Sequence, residues 1–141
     1  MISTKGRYAL RVMLDLAEQE NDEYIPLNEI SARQEISQKY LEIIIKILVQ
    51  KKLLKGRRGK GGGYKLTRQA SQYSVGEILE LAEGTLATVT CLMPSAETCP
   101  RKDCCKTLPM WAEADRIMRD YFYSITLKDL ADGNLGKPIT L

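Results

Sequence analysis

The segment SQKYLEIIIKILVQKKLL, which begins at Ser37, constrains the fold of this 141-residue chain more than any other segment. Its apolar residues recur at i, i+3, i+4, i+7 and i+8, the period of a helix with one buried face: Leu41, Ile44, Ile45, Leu48 and Val49. Ser37 suits the N-cap position, because its hydroxyl oxygen can accept a bond from a free N–H of the first turn. Ile43 and Ile47 fall off this face, and we expect them to pack against the following hairpin or a neighbouring element.

Two shorter helices are predicted before this segment and a β-hairpin after it. The first helix lies near the N-terminus and ends at the polar run EQENDE, and the second runs from Leu27 to about Gln34. The segment LLKGRRGKGGGYKLT contains two short extended runs around a basic, glycine-rich tip, which is typical of a hairpin. The predicted fold class is therefore mainly α with a small β-hairpin wing, a winged helix-turn-helix.

The glycine-rich tip does not satisfy either common phosphate-loop pattern. A Walker loop needs Gly-Lys-Ser/Thr, and here Gly61 is followed by Gly62 and Gly63. The pattern G-x-G-x-x-G fails because Tyr64 stands where the third glycine belongs. We therefore do not expect a nucleotide site in this loop.

The C-terminal half begins and ends with predicted capping boxes, Ser74 with Glu77 and Thr126 with Asp129. Between them a longer helix begins near Thr107, after the cysteine-bearing segment. Its apolar residues alternate at three- and four-residue steps like a coiled-coil seam: Leu108, Trp111, Ala114, Met118, Tyr121 and Ile125. We expect this seam to pair in a homodimer, with packing on the first helix of the same chain as the alternative.

Four segments are expected from these boundaries: a winged helix-turn-helix DNA-binding domain (1–83), a cysteine-bearing loop (84–107), a dimerisation helix with a short cap helix (108–132) and a tail (133–141). Residues 1–68 carry 14 Lys+Arg against 8 Asp+Glu, and residues 69–141 carry 7 against 10. The N-terminal excess of positive charge suits double-stranded DNA, although charge alone also fits a solvated basic face.

Bases in the major groove are usually read by the first residues of the recognition helix. The expected reading residues are Ser37, Gln38, Lys39, Tyr40 and Glu42. An exposed acid repels phosphate, so Glu42 points to a hydrogen bond from cytosine N4. Pairing of Glu42 with Lys39 or Lys46 along the helix is the alternative.

Phosphates and the minor groove are expected to meet the wing and the start of the first helix. In the wing these residues are Arg58, Lys60, Gly61, Gly62 and Tyr64, although the glycines are also explained by the shape of the turn. In the first helix they are Ser3, Thr4, Lys5, Arg7 and Tyr8.

All the cysteines lie in the segment CLMPSAETCPRKDCC, from Cys91 to Cys105. The charged N-terminal stretch is neither a signal peptide nor a membrane span, so we expect a cytoplasmic protein without a membrane partner. In a reducing compartment, clustered thiols favour metal over disulfides. Thiolates bind iron–sulfur clusters or zinc, but structural zinc usually has closer cysteine pairs. An iron–sulfur cluster is favoured, while zinc, a disulfide, a redox thiol and inert cysteines stay open.

The segments ISTKGRYALRVMLDLA, KYLEIIIKIL, RRGKGGGYKL and SITLKDL together resemble the IscR-type winged-helix regulators. That family includes iron–sulfur, nitric-oxide, iron and cysteine-metabolism repressors, and the resemblance covers essentially the whole chain. It implies a homodimer on an imperfect DNA palindrome, with the long helix as the interface. It also implies that Glu42 reads a base, that Arg58 enters the minor groove, and that Tyr40 and Ser37 contact DNA.

Iron–sulfur members of this family carry three cysteines before the dimer helix, where Cys91, Cys99 and Cys105 fall. Two-iron members add a histidine three residues after the last cysteine, but Leu108 stands there and the chain has no histidine. Another branch uses a carboxylate from the partner's first helix, and Arg7 occupies that position. The candidates left for a fourth ligand are Cys104, which is also an alternative to Cys105, and Asp103, Glu97 or an exogenous ligand.

The predicted function is a sequence-specific transcriptional regulator, expected to be a repressor, that senses redox state, iron or nitric oxide through its cluster. A family regulator without a cluster, controlled by a small molecule or a protein partner, is the alternative. An enzyme such as a thiol oxidoreductase is not expected, because the chain has no histidine base, no C-x-x-C and no nucleotide loop.

Overall fold

The computed structural model describes residues 1–19 and 21–135 and confirms the predicted fold class. Its helices are α1 (Thr4–Ala17), α2 (Leu27–Gln34), α3 (Gln38–Gln50), α4 (Val75–Glu83), α5 (Leu108–Ser124) and α6 (Leu127–Ala131), and its hairpin consists of β1 (Leu54–Arg57) and β2 (Gly63–Leu66). Among these helices, none combines the length and the apolar character needed to cross a membrane. Glu20 and residues 136–141 of the predicted tail lie outside the described residues.

Helix α3 begins as predicted, since the Ser37 hydroxyl oxygen accepts a hydrogen bond from Tyr40 N at 3.3 Å. Four of the five residues predicted to be buried are at most 1% exposed: Leu41, Ile44, Ile45 and Leu48. Val49 is 36% exposed and lies at the edge of the buried face, so its predicted burial is wrong. Of the two residues expected to pack on the hairpin or a neighbouring element, Ile43 is 51% exposed and Ile47 is half-buried.

Helices α1 and α2 are joined by an ion pair inside the fold. Asp15 is only 2% exposed. Arg33 donates to it twice, from Nε to Oδ1 at 3.0 Å and from a terminal nitrogen to Oδ2 at 2.8 Å. Gln34 Nε2 donates to Asp15 Oδ1 at 2.8 Å, and Arg11 donates to Gln34 Oε1 at 3.1 Å. The ion pair is thereby surrounded by donors and fixes α2 against α1.

The hairpin is antiparallel, with Leu54 opposite Leu66 and Arg57 opposite Gly63. Its base is held by Tyr73, whose side chain is fully buried. The Tyr73 hydroxyl donates to Leu53 O at 2.9 Å and accepts from the backbone N–H of the residues that follow β2, Thr67 and Arg68, both at 2.9 Å. One phenol therefore ties both ends of the wing to the segment leading into α4.

The two predicted capping boxes differ in the structure. Ser74 accepts from Glu77 N at 3.0 Å, but the Glu77 carboxylate pairs with Arg68 at 2.8 Å instead of returning to Ser74. The box of Thr126 and Asp129 is complete. Leu127 of α6 is fully buried in the main core, although the sequence grouped it with α5 in 108–132. Helix α6 therefore packs on α1, which belongs to the predicted DNA-binding segment 1–83.

Candidate nucleic-acid interface and thiol cavity

The exposed face of α3 carries the predicted reading residues. Ser37, Gln38, Lys39 and Glu42 are exposed, and Tyr40 is half-buried. Within the described part of the chain, Glu42 forms no ion pair with Lys39 or Lys46, so its carboxylate is free to accept a hydrogen bond from a ligand. This geometry argues against the alternative of a self-paired surface acid.

The start of α1 is partly occupied by an acid from α4, which the sequence did not reveal. Ser3 donates to Glu83 Oε1 from both its backbone N (2.9 Å) and its hydroxyl (2.7 Å), and Gly6 N donates to the same oxygen at 3.0 Å. In this structure the two donors of Ser3 are used by Glu83, so a phosphate contact would have to replace that carboxylate. Thr4 and Arg7 are exposed beside it, with Arg7 donating to Thr4 Oγ1 at 3.1 Å.

Two other predicted residues of α1 are half-buried, Lys5 and Tyr8. The ring of Tyr8 meets Tyr40 edge-on, with 5.7 Å between centroids. The guanidinium of Arg11 lies 5.2 Å from the Tyr8 centroid. Tyr8 and Tyr40 therefore brace α1 against the first turn of the recognition helix, which positions the reading residues.

The tip of the wing presents the exposed cations Arg58 and Lys60. The neighbouring Arg57 turns back into the loop, donating to Gly61 O at 2.9 Å. A Cβ on Gly62 would lie 2.3 Å from Arg57 O, so this glycine is required by the turn itself. Of the two roles that the sequence left open for Gly62, the structure thus supports shaping the turn.

Tyr64 is part of the wing's own framework. Its backbone exchanges two hydrogen bonds with Ile25, both at 2.9 Å. Its ring lies against Gly56, where an added Cβ would meet a ring carbon at 3.1 Å. The backbone and ring of Tyr64 therefore shape the wing, and its predicted contact with DNA stays a prediction.

Three of the cysteines surround one cavity between residue 91 and the start of α5. Its volume is about 270 Å³, and it is lined by Cys91, Leu92, Met93, Ala96, Glu97, Thr98, Cys99, Lys102, Cys105 and Leu108. Cys104 is not among the lining residues: it is exposed, and its thiol donates to Arg101 O at 3.4 Å. The structure therefore brings together the three predicted ligands and separates the fourth cysteine from them.

Cys105 lies just before α5 and contacts the N-terminal turn of that helix. Its sulfur is 3.4 Å from Thr107 Oγ1. Hydrogen bonds from the Thr107 side chain and from the backbone of Thr107 and Leu108 hold the pKa of the Cys105 thiol below its usual value, and Arg101 adds a smaller effect. This environment favours the thiolate, which is the form that binds metal.

The donor set consists of three thiols around one cavity, and soft thiolate ligands are preferred both by iron–sulfur clusters and by zinc. Among the described residues, no three Cys, Asp or Glu side chains converge closely enough to hold one ion, whereas structural zinc needs four donors around a single centre. In an iron–sulfur cluster the ligands are distributed over several irons, so the three cavity thiols would each bind a different part of it. Glu97 lines the cavity with them, and Asp103 does not.

Helix α5 has two apolar faces, and the predicted seam mixes them. Ile125 is only 9% exposed and packs with Val75 and Leu79, so its predicted place in a dimer interface is wrong. Met118 packs against the same cluster. The other members of the predicted seam are Leu108, which lines the cavity, the half-buried Ala114, and the exposed Trp111 and Tyr121.

The outward face of α5 includes residues that the sequence analysis missed. Met110 is 54% exposed and Ile117 55%, beside Trp111 at 38% and Tyr121 at 44%. Met110, Ile117 and Tyr121 are separated by seven and four residues, so they lie along one side of the helix, and Trp111 follows Met110 about 100° around it. We call Met110, Trp111, Ile117 and Tyr121 the outer stripe.

The inward face of α5 is fastened to α4 by polar contacts as well. Arg119 and Tyr123 both donate to the carboxylate of Glu80. The hydrogen bond from Arg119 holds the pKa of Glu80 below its ordinary value. Nearer the cavity, Thr88 N donates to Asp115 Oδ1 at 2.8 Å.

A helix-turn-helix with a basic wing, followed by a long helix with an exposed apolar stripe, defines a winged-helix transcriptional regulator. The chain belongs to the Rrf2 family, described as iron-dependent transcriptional regulators, which it matches over residues 2–133. It is 34% identical over 131 residues to the HTH-type transcriptional regulator IscR of Pectobacterium atrosepticum, covering 93% of this chain and 79% of that protein.

Two solved structures of regulators resemble this fold closely. CymR, the global cysteine regulator of B. subtilis, has a TM-score of 0.76 and 30% identity, covering 94% of this chain and 97% of that one. T. potens IscR has a TM-score of 0.74 and 30% identity, covering 94% of this chain and 87% of that one. Both similarities extend through the wing and the C-terminal helix.

Proposed function

We propose that this chain is a homodimeric repressor that binds an imperfect DNA palindrome and senses redox state, iron or nitric oxide through an iron–sulfur cluster. The observation that carries the sensing role is the single cavity lined by Cys91, Cys99 and Cys105. When bound, a cluster would supply a centre that oxidants and nitric oxide can degrade. The protein's own contribution is three thiols, one of them biased towards the thiolate by the start of α5.

Glu97 is our candidate for the fourth ligand. It is the carboxylate among the residues lining the cavity, and the chain has no histidine to take that place. Lys102 also lines the cavity and adds a positive charge beside an anionic cluster. A cluster held by one carboxylate and three thiolates would be more easily lost than one held by four thiolates, because iron in these clusters prefers soft ligands.

The DNA-binding role is supported by the exposed surface of α3 and the wing tip. Lys39 and Glu42 lie on the helix that a helix-turn-helix places in the major groove. Arg58 and Lys60 extend from the wing, where they can reach phosphates or a narrow minor groove. Two copies paired through the outer stripe of α5 would present two such surfaces to the two halves of a palindrome.

The sensing role is tested on protein purified anaerobically, by visible absorption and by iron and sulfide analysis. Wild type should be coloured, with iron and sulfide present together. Cys99→Ala should lose both because it removes a thiol from the cavity, and Cys104→Ala is the matched control that should keep them because its thiol lies outside. Glu97→Ala should keep the cysteines but lose iron faster in air, and Asp103→Ala should not.

A colourless wild-type protein that still binds DNA tightly would contradict the sensing role. It would favour a family regulator without a cluster, controlled by a small molecule or a partner protein. CymR, a neighbour of this fold, is described as the global cysteine regulator of B. subtilis. Equal loss of iron from the Cys99→Ala and Cys104→Ala variants would instead count against the ligand set.

The reading role of Glu42 is tested by selecting duplexes from random DNA with wild type and variants. Glu42→Ala should relax the preference at one base pair in each half-site, because it removes the acceptor for cytosine N4. Lys39→Ala should weaken binding to all sequences and lower the salt dependence by about one phosphate contact per subunit. An unchanged preference in Glu42→Ala would show that this acid reads no base.

Pairing through the outer stripe is tested by sedimentation equilibrium. Ile117→Ser removes an apolar side chain that is 55% exposed in the single chain, once from each subunit of a dimer. Burying it twice is worth about 2 kcal/mol, so the dimer should dissociate roughly 30-fold more readily. Val49→Ser, at an exposed position on α3, is the control that should leave dimerisation unchanged.

A further inference from the structure

Ile43 lies in the middle of the solvent-facing side of α3. Leu41 and Ile44, which belong to the buried face of α3, are at most 1% exposed, whereas Ile43 is 51% exposed. At 3.6 residues per turn, Ile43 shares its face with residues four before it and three after it, the exposed Lys39 and Lys46. An unpartnered β-branched side chain therefore sits between two cations on the face proposed to meet DNA.

A single exposed apolar side chain is ordinary on a protein surface and needs no partner. The position of Ile43 is less ordinary, because this face enters the major groove in the proposed function. Isoleucine has no hydrogen-bond donor or acceptor in its side chain, so it cannot read the polar edges of bases. The apolar feature of the major groove is the C5 methyl group of thymine.

We propose that Ile43 packs against the C5 methyl group of a thymine in each half-site and so helps to specify the sequence bound. This inference rests on the proposed DNA-binding function. The side chains of Glu42 and Ile43 leave the helix about 100° apart with a rise of 1.5 Å, so they reach neighbouring base pairs. The thymine should thus lie within one or two base pairs of the position read by Glu42.

The expected effect follows from the size of one methyl group. Removing one buried methyl changes affinity about four-fold, and removing one from each half-site changes it about fifteen-fold. Replacing thymine by deoxyuridine removes this methyl and leaves every Watson–Crick group in place. The substitution therefore isolates the contact that Ile43 would make.

The experiment first selects a duplex from random DNA with the full-length protein purified anaerobically. Each thymine of the selected site is then replaced by deoxyuridine, and affinities are measured by fluorescence anisotropy for wild type, Ile43→Ala and Val49→Ala. For one thymine in each half-site, a single replacement should weaken DNA binding by wild type and by Val49→Ala about four-fold. The same replacement should leave DNA binding by Ile43→Ala unchanged. Ile43 is exposed, so its variant should melt at the wild-type temperature.

Three results would overturn the inference, and they distinguish its failure from that of the proposed function. If wild type selects no sequence, the proposed DNA-binding function fails and this inference fails with it. If wild type selects a sequence but deoxyuridine is tolerated at every thymine, the DNA-binding function stands and the role of Ile43 is refuted. An equal loss in wild type and in Ile43→Ala refutes that role as well, because the methyl would then contact another residue.

Discussion

Removing Arg33 should destabilise the protein more than neutralising Asp15, although both changes break the same ion pair. The Asp15 side chain is 2% exposed and the Arg33 side chain 36%. Arg33→Met leaves a buried carboxylate with Gln34 as its remaining side-chain donor. Asp15→Asn leaves the Arg33 guanidinium within reach of water, and the amide oxygen of the new asparagine can still accept from Gln34.

The magnitudes follow from these exposures. Stranding one partner of a buried pair costs about 3–5 kcal/mol, and we expect Arg33→Met in this range. Hydrogen bonds to charged groups are worth about 1.5–3 kcal/mol, and rehydration of Arg33 keeps Asp15→Asn near 2 kcal/mol. A double variant with both changes should be about 1–2 kcal/mol more stable than Arg33→Met alone, because it no longer buries a charge.

The assay is urea unfolding followed by far-UV circular dichroism at pH 7. Glu29→Gln serves as the control, because it removes the other ion pair of Arg33, which is longer (3.5 Å) and exposed; it should cost less than about 0.5 kcal/mol. If Asp15→Asn is as destabilising as Arg33→Met, the reasoning from exposure is refuted. A double variant no more stable than Arg33→Met would also contradict it.

Three further changes test the wing, the docking of α5 and DNA binding. Gly63→Ala should lower the free energy of unfolding, measured by thermal melting, by about 3 kcal/mol, because its Cβ would lie 2.2 Å from Ile25 O. Gly59→Ala has open space around its Cβ but a φ of +86°, so it should lower the free energy of unfolding by only about 1–2 kcal/mol. The pKa of Glu80 is lowered from its ordinary value of 4.5, so its pair with Arg119 stabilises the fold fully above pH 4.5. This stabilisation is lost as the pH falls through the lowered pKa of Glu80. The difference in melting temperature between wild type and Glu80→Gln should therefore shrink below pH 4.5. Arg58→Ala should weaken DNA binding measured by anisotropy and reduce the slope of log affinity against log salt by about one per subunit, and an unchanged slope would exclude a phosphate contact.

Local patterns were sufficient to predict the DNA-binding half of the fold. The bounds of α2 and the Ser37 cap of α3 agree with the structure, because each depends on residues within one or two turns. The hairpin was predictable for the same reason, because its two antiparallel strands are separated in the sequence only by the short basic tip. The exposed reading residues followed from the same helical period, which left Lys39 and Glu42 on the polar face.

Contacts between distant segments were not predictable in the same way. Glu83 caps α1 from 80 residues away, and nothing near Ser3 in the sequence indicates it. Helix α5 carries two interleaved apolar stripes, and only the position of α4 determines that Ile125 is buried and Ile117 exposed. The three cysteines around one cavity came from a family resemblance, because their spacing alone left several metals open.

The fastening of α5 gives it the mechanics of a rod that is clamped near one end. Val75 N binds Ile125 O at 2.8 Å just beyond its C-terminus, while its N-terminus joins the cavity wall at Leu108. Its 17 residues span about 25 Å. The part from Arg119, which binds Glu80 of α4, to Leu108 is about 16 Å long, so a tilt of about 5° about Arg119 would displace Leu108 by about 1.4 Å. The same geometry works in reverse: a shift of one ångström at the cavity turns this part of α5 by about 3–4°, and a paired copy would double the angle between the two subunits.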